Sequence, residues 1–136
     1  MSSPARGLPA RLGWGVLLIV LLIEAFGGLL LLLPTALGMF EATDEPLGAR
    51  VSILLALLIA WAWVCATLFG AMRSRASWVR GSALTIHVLL FAAGTGMLQF
   101  GLGSGLLAWA LVLLALVGFF AAVVVRPVPR EEDSAR

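Results

Sequence analysis

Four stretches of this chain, 13–33, 51–72, 82–100 and 105–125, are apolar for 19 to 22 residues, and together they hold a single carboxylate, Glu24. A helix rises 1.5 Å per residue, so about 20 residues cross the roughly 30 Å hydrocarbon core of a bilayer. Hydrocarbon offers backbone N–H and C=O groups no partner, so a spanning segment must be a helix or part of a closed barrel. Barrel strands alternate in polarity over about 10 residues, and these blocks do not alternate. The expected fold is all-α, a transmembrane antiparallel four-helix bundle over 13–125. A cytoplasmic segment, 1–12, precedes it and a polar, disordered tail, 126–136, follows. Composition agrees: 62% of residues are hydrophobic, 12% are charged and mean hydropathy is +1.09, too little charge for a soluble surface.

Arginine placement orients the bundle. Arg6 and Arg11 precede the first span, Arg73, Arg75 and Arg80 lie between the second and third, and Arg126, Arg130 and Arg136 follow the fourth. Arg50 stands alone on the opposite side. The positive-inside rule then puts both termini in the cytoplasm of a multi-pass plasma membrane (bacterial inner membrane) protein. Trp14, Trp78 and Trp109 lie near span ends, where indoles favour the interface. The first span is too long for a signal peptide, and no small-x-small site follows it, so it is expected to be retained. In the outer loop 34–50, Asp44 ahead of Pro46 reads as a helix cap with proline in the first turn. The three loop acids, Glu41, Asp44 and Glu45, read as solvated. The inner loop "RSRASWVR" offers Arg73, Arg75 and Arg80 to anionic lipid headgroups, at about 1 kcal/mol per Arg, or it serves topology alone. The formal charge of +2 is too small to suggest nucleic acid.

In lipid, helices associate through small residues and interhelical hydrogen bonds. The expected packing stripes are Ser52, Ala56 and Ala60 with Ala62, Ala66, Thr67 and Gly70 on the second span. On the first they are Glu24, Gly27 and Gly28, and on the third Ala83, His87, Phe91, Gly94, Thr95 and Gln99. The first helix is expected to end at Pro34. The fourth span, almost without polar side chains, is expected to be the most lipid-exposed. Small-residue faces would also suit a second copy or another membrane-protein partner.

The one constellation that could carry chemistry is Glu24 with His87, an intramembrane polar pair if their helices are neighbours. One histidine excludes bis-His haem, and no acid/His/Cys cluster has metal-ligand spacing. No glycine-rich phosphate loop is present, and Cys65 alone excludes a disulfide or CxxC pair. No cofactor and no enzymatic activity are expected. Two readings follow: a structural or accessory membrane component held by polar contacts, or a small proton- or cation-coupled transporter or channel using Glu24. Thr67, Thr95 and Gln99 would be further polar stations on such a path, with Trp61 and Trp63 as walls.

Two resemblances follow from these motifs. "IEAFGG" in the first helix resembles the small multidrug resistance transporters over Glu24–Gly28, which implies a proton- and cation-binding Glu24. More broadly, "IEAFGG", "GAMRSRASWVRGSA", His87 and "MLQF" resemble small four-span integral membrane proteins of actinobacteria, from Leu12 to Pro127. Those proteins carry Gln where this chain has His87. That resemblance implies the fold and brings no activity with it.

Overall fold

The computed structural model describes residues 7–41 and 44–125. Arg6, Arg126, Arg130, Arg136 and the tail 126–136 lie outside the described residues. The described residues form four helices: α1 (Leu8–Gly38), α2 (Leu47–Arg73), α3 (Ser77–Phe100) and α4 (Gly105–Val124). Each is long and apolar enough to cross a membrane. All are antiparallel in sequence order, so the start of α1, the α2–α3 loop and the end of α4 share one end of the bundle.

α1 runs through Pro34 to Gly38, which corrects the expected stop at the proline. Proline removes one backbone donor, yet ending a helix inside hydrocarbon would strand several. The hydroxyl of Thr35 donates to Leu31 O at 2.7 Å, adding a side-chain donor next to the gap. Asp44 does not cap α2. Pro46 is itself the N-cap, with φ −58° and ψ 138°, and no side chain caps the helix. Proline's fixed φ suits this extended position as well as a first-turn one, which leaves Asp44 two residues too early. Arg50 has a structural role at this end: Nη1 donates to Met39 O (3.1 Å) and Glu41 O (2.8 Å), so a cation on α2 holds the C-terminal end of α1. The turn "GLGSG" is set by Gly101 (φ 64°) and Gly103 (φ 68°), left-handed positions, and by Ser104, whose Oγ accepts from Leu107 N at 3.2 Å.

α1 packs on α2 and α4, and α3 packs on α4 and more sparsely on α2. The diagonal pairs, α1 with α3 and α2 with α4, have no Cα atoms within 8 Å among the described residues. The densest core lies toward the end where α1 starts and α4 finishes, where Trp14, Leu17 and Leu21 meet Ala71, Val79, Ala83, Ala121, Ala122 and Val125. Trp14 is a core residue, whereas Trp78 and Trp109 are exposed. Large aliphatic and aromatic side chains cover the outside, the arrangement of a protein solvated by lipid rather than water.

Two packing expectations are corrected. α4 is the helix with the largest buried share, not the most lipid-exposed. Its buried residues, Ala108, Val112, Ala115, Gly118, Ala121 and Ala122, recur every three or four positions. Lack of polar side chains says nothing of burial when backbone approach supplies the attraction. On α2 the inward line is Leu54, Leu57, Trp61, Val64, Thr67, Gly70 and Ala71; Ser52, Ala56, Ala60, Ala62 and Ala66 face outward. α2 leans its larger side chains on α1, and Trp61 fills the space over Gly28. On α3, Ala83, Ile86, His87 and Gly94 are buried, Thr95 is half-buried, and Phe91 and Gln99 are exposed.

Gly94 brings α3 close to the backbone of α4: a Cβ there would lie 2.9 Å from Val112 Cγ2 and 3.1 Å from Ala108 O. Nothing lies within 4 Å of the corresponding position on Gly96. Gly94→Ala is expected to lower bundle stability by about 1–3 kcal/mol. Gly96→Ala should be neutral or stabilising by up to about 1 kcal/mol. Reversible unfolding of both variants in bilayers checks the contrast.

Candidate functional site

His87 sits about 15 Å along α3 from Ser77, deeper than the apolar block suggested, because the helix begins five residues before Ser82. That brings it level with Glu24, near the middle of α1. The two side chains meet: His87 Nε2 lies 3.1 Å from Glu24 Oε1. They do so across the diagonal of the bundle, not between neighbouring helices as expected. The His87 side chain is fully buried and that of Glu24 is 6% exposed.

A glycine on a third helix makes this possible. A Cβ on Gly118 of α4 would overlap the His87 ring, so the imidazole occupies the volume that any other residue at 118 would fill. On the Glu24 side, Gly28 lies one turn further along α1, beneath Trp61, where a Cβ would be 2.7 Å from the indole Cδ1. Trp61 Nε1 donates to Ala25 O at 2.8 Å, tying α2 to α1 beside the carboxylate. Trp61 is thus a packing residue with a satisfied indole.

Hydrogen-bond partners assign the protons. His87 Nδ1 is 2.6 Å from Ala83 O, one turn back on its own helix. A carbonyl can only accept, so Nδ1 carries hydrogen. The Nε2···Oε1 contact then holds one proton in its stable forms, as imidazolium with carboxylate or as neutral imidazole with carboxylic acid. Both forms have the same proton count and zero net charge. Removing that proton sets a carboxylate against a nitrogen lone pair, and adding one leaves an unpaired cation. Each leaves net charge in hydrocarbon, at a cost of about 3 kcal/mol or considerably more.

The contact is at ion-pair distance without the alignment of a hydrogen bond, and Glu24 Oε2 is buried with no hydrogen-bond partner. A second polar group lies between α2 and α3, unmarked by the sequence reading because Ser82 opened an apolar block. Ser82 Oγ is 2.7 Å from Thr67 Oγ1 and accepts from Trp63 Nε1 at 2.8 Å, while Thr67 also donates to Trp63 O. Thr95 returns its hydroxyl to Phe91 O and Ala92 O of its own helix. Among the described residues no group of three His, Cys, Asp or Glu side chains could hold a metal ion. An open apolar groove of about 430 Å³ runs between α1 and α4, lined by residues such as Val20, Ile23, Leu113 and Val117.

No protein family, curated protein or solved structure matches the chain. The four helices define a multi-pass, all-α membrane protein, and its polar centre is read from geometry.

Gly118→Ala is expected to be the most damaging glycine-to-alanine change in the chain, costing at least about 2 kcal/mol as His87 is pushed from Glu24. Adding His87→Ala should recover part of that loss. A double-mutant cycle measured by bilayer unfolding would expose the coupling, and additive losses would contradict the shared volume.

Proposed function

We propose that this chain is a non-catalytic structural or accessory component of the bacterial inner membrane, of the actinobacterial four-span type, with both termini cytoplasmic. The observation that carries the reading is the Glu24–His87 contact. It joins two diagonal helices whose backbones stay apart, with no Cα atoms within 8 Å among the described residues, and Gly118 leaves room for it. Interhelical polar contacts in membranes contribute roughly 0.6–2 kcal/mol each, and they fix which faces meet. The Thr67–Ser82–Trp63 group does the same for the sparse α2–α3 seam. The orientation rests on the arginines, with Arg11, Arg73, Arg75 and Arg80 at the end where α1 starts and α4 finishes and Arg50 at the other.

One observation favours a second reading, in which Glu24 binds a proton or cation in transport: Oε2 is buried and unpartnered. Glu24→Gln and Glu24→Leu separate the two. Glutamine can still donate to His87 Nε2, so its stability is expected within about 1 kcal/mol of wild type; leucine leaves the imidazole unpaired and should lose about 2 kcal/mol. Proton flux into liposomes under an imposed gradient should stay at the protein-free leak for all three chains. Wild-type flux that vanishes in a stable Glu24→Gln variant would sink the packing reading. Reporters fused to the α2–α3 loop and to the C-terminus should both read as cytoplasmic.

A further inference from the structure

The end of the bundle where α1 starts and α4 finishes has a concentration of positive charge with no carboxylate to meet it among the described residues. Glu41, Asp44 and Glu45 lie at the opposite end, and Glu24 is at the centre, engaged with His87. Arg11, Arg73 and Arg75 are all exposed. Arg75 lies over the ring of Trp14, 5.6 Å from its centroid. Arg11 is three residues before Trp14 on α1 and exposed at the same end of the bundle. Arg73 lies over Phe69, 5.9 Å from its centroid, and Phe69 is 63% exposed on the lipid-facing side of α2. Arg80 is turned away, with Nη2 donating to Val123 O of α4.

Like charges at one end of a bundle repel unless anions offset them. Arg75 directly follows Ser74, the C-cap of α2, the position at which a left-handed residue commonly ends a helix. Arg75 has φ 45°, the left-handed region that glycine occupies at little cost, yet the position carries an arginine whose side chain is held over Trp14. A guanidinium over an aromatic face keeps its N–H groups free to donate, and their fork matches two oxygens of a phosphate.

We infer that Arg11, Arg73 and Arg75 form a seat for the phosphate of an anionic phospholipid headgroup. Phe69 commits the seat to lipid rather than free phosphate. It lies one turn below Arg73 on the hydrocarbon-facing surface, where an acyl chain runs under its own headgroup. The site goes beyond the packing role, because neither Glu24 nor His87 takes part in it.

The test is native mass spectrometry of the full chain in detergent, titrated with phosphatidylglycerol, phosphatidylcholine and inorganic phosphate. Phosphatidylglycerol should bind the wild type at least tenfold more tightly than phosphatidylcholine, with inorganic phosphate competing weakly. Each arginine carries about a fivefold share. Arg11→Gln, which removes an exposed side chain, should cut the preference about fivefold at unchanged helicity and melting temperature. Arg11→Gln with Arg75→Gln should reduce it more than tenfold, and the double lysine variant should keep most of it. Equal binding of the two lipids by wild type, or a preference untouched by Arg11→Gln, overturns the proposal. So does inorganic phosphate competing as well as phosphatidylglycerol. A preference that emerges only after deletion of 127–136 would assign the seat to the tail acids Glu131, Glu132 and Asp133 and equally overturn it.

Discussion

A buried pair in a bilayer must be neutral as a unit, and the rest of this bundle is arranged around that requirement. Glu24 alone in hydrocarbon would cost several kcal/mol, so α1 must present it inward to a partner. His87 is the complement, with Nδ1 committed to Ala83 O and Nε2 facing Oε1. Because the partners stand on diagonal helices, the contact passes through the centre of the bundle. The centre is wide enough only because α4 contributes Gly118 there. Four features on three helices are thus set by one electrostatic condition.

The lipid environment explains the rest of the packing. In water the exposed leucines, valines and phenylalanines would drive aggregation; in lipid they are solvated, and removing them from it yields little. Close backbone approach becomes the main source of attraction, which is why Ala108, Ala115, Gly118 and Ala122 of α4 are buried while the largest side chains are outside. Directional contacts then set rotation and height. Trp61 to Ala25 O, Ser82 to Thr67 and Arg50 to Met39 O each join one element to another.

The fold was legible in the sequence because block length and continuity report directly on the bilayer. The orientation of helix faces was not. The alanines of α2 satisfy the same small-residue spacing as those of α4, yet Ala56 and Ala60 face outward. Small-residue spacing marks a face that can pack, and which face does pack depends on what the neighbour offers, here Gly28 of α1 beneath Trp61. Glu24 and His87 were identifiable as the only carboxylate and the only imidazole inside the blocks. Their meeting across the diagonal was not, since it depends on α3 starting at Ser77 and on Gly118, a glycine among many. Pro34 misled for a related reason: a breaker in water is tolerated in hydrocarbon, where neighbouring groups have no better partner than the helix.

These constraints also bear on what Glu24 can do. α1 is held at three heights: by Gly13 and Trp14 against the end of α4, by Glu24 against His87, and by Arg50 at Met39 and Glu41. Rotating it to bring Glu24 into contact with another compartment would break all three. The alternative is to move His87, whose ring is enclosed by Gly118, on a helix held to α4 by Gly94 against Val112. A proton leaving the pair would therefore need α3 and α4 to part along their closest interface while net charge appeared in hydrocarbon. Two costs that must be met together make a static pair the simpler occupant of this site, and they are the physical basis for reading it as a lock between helices.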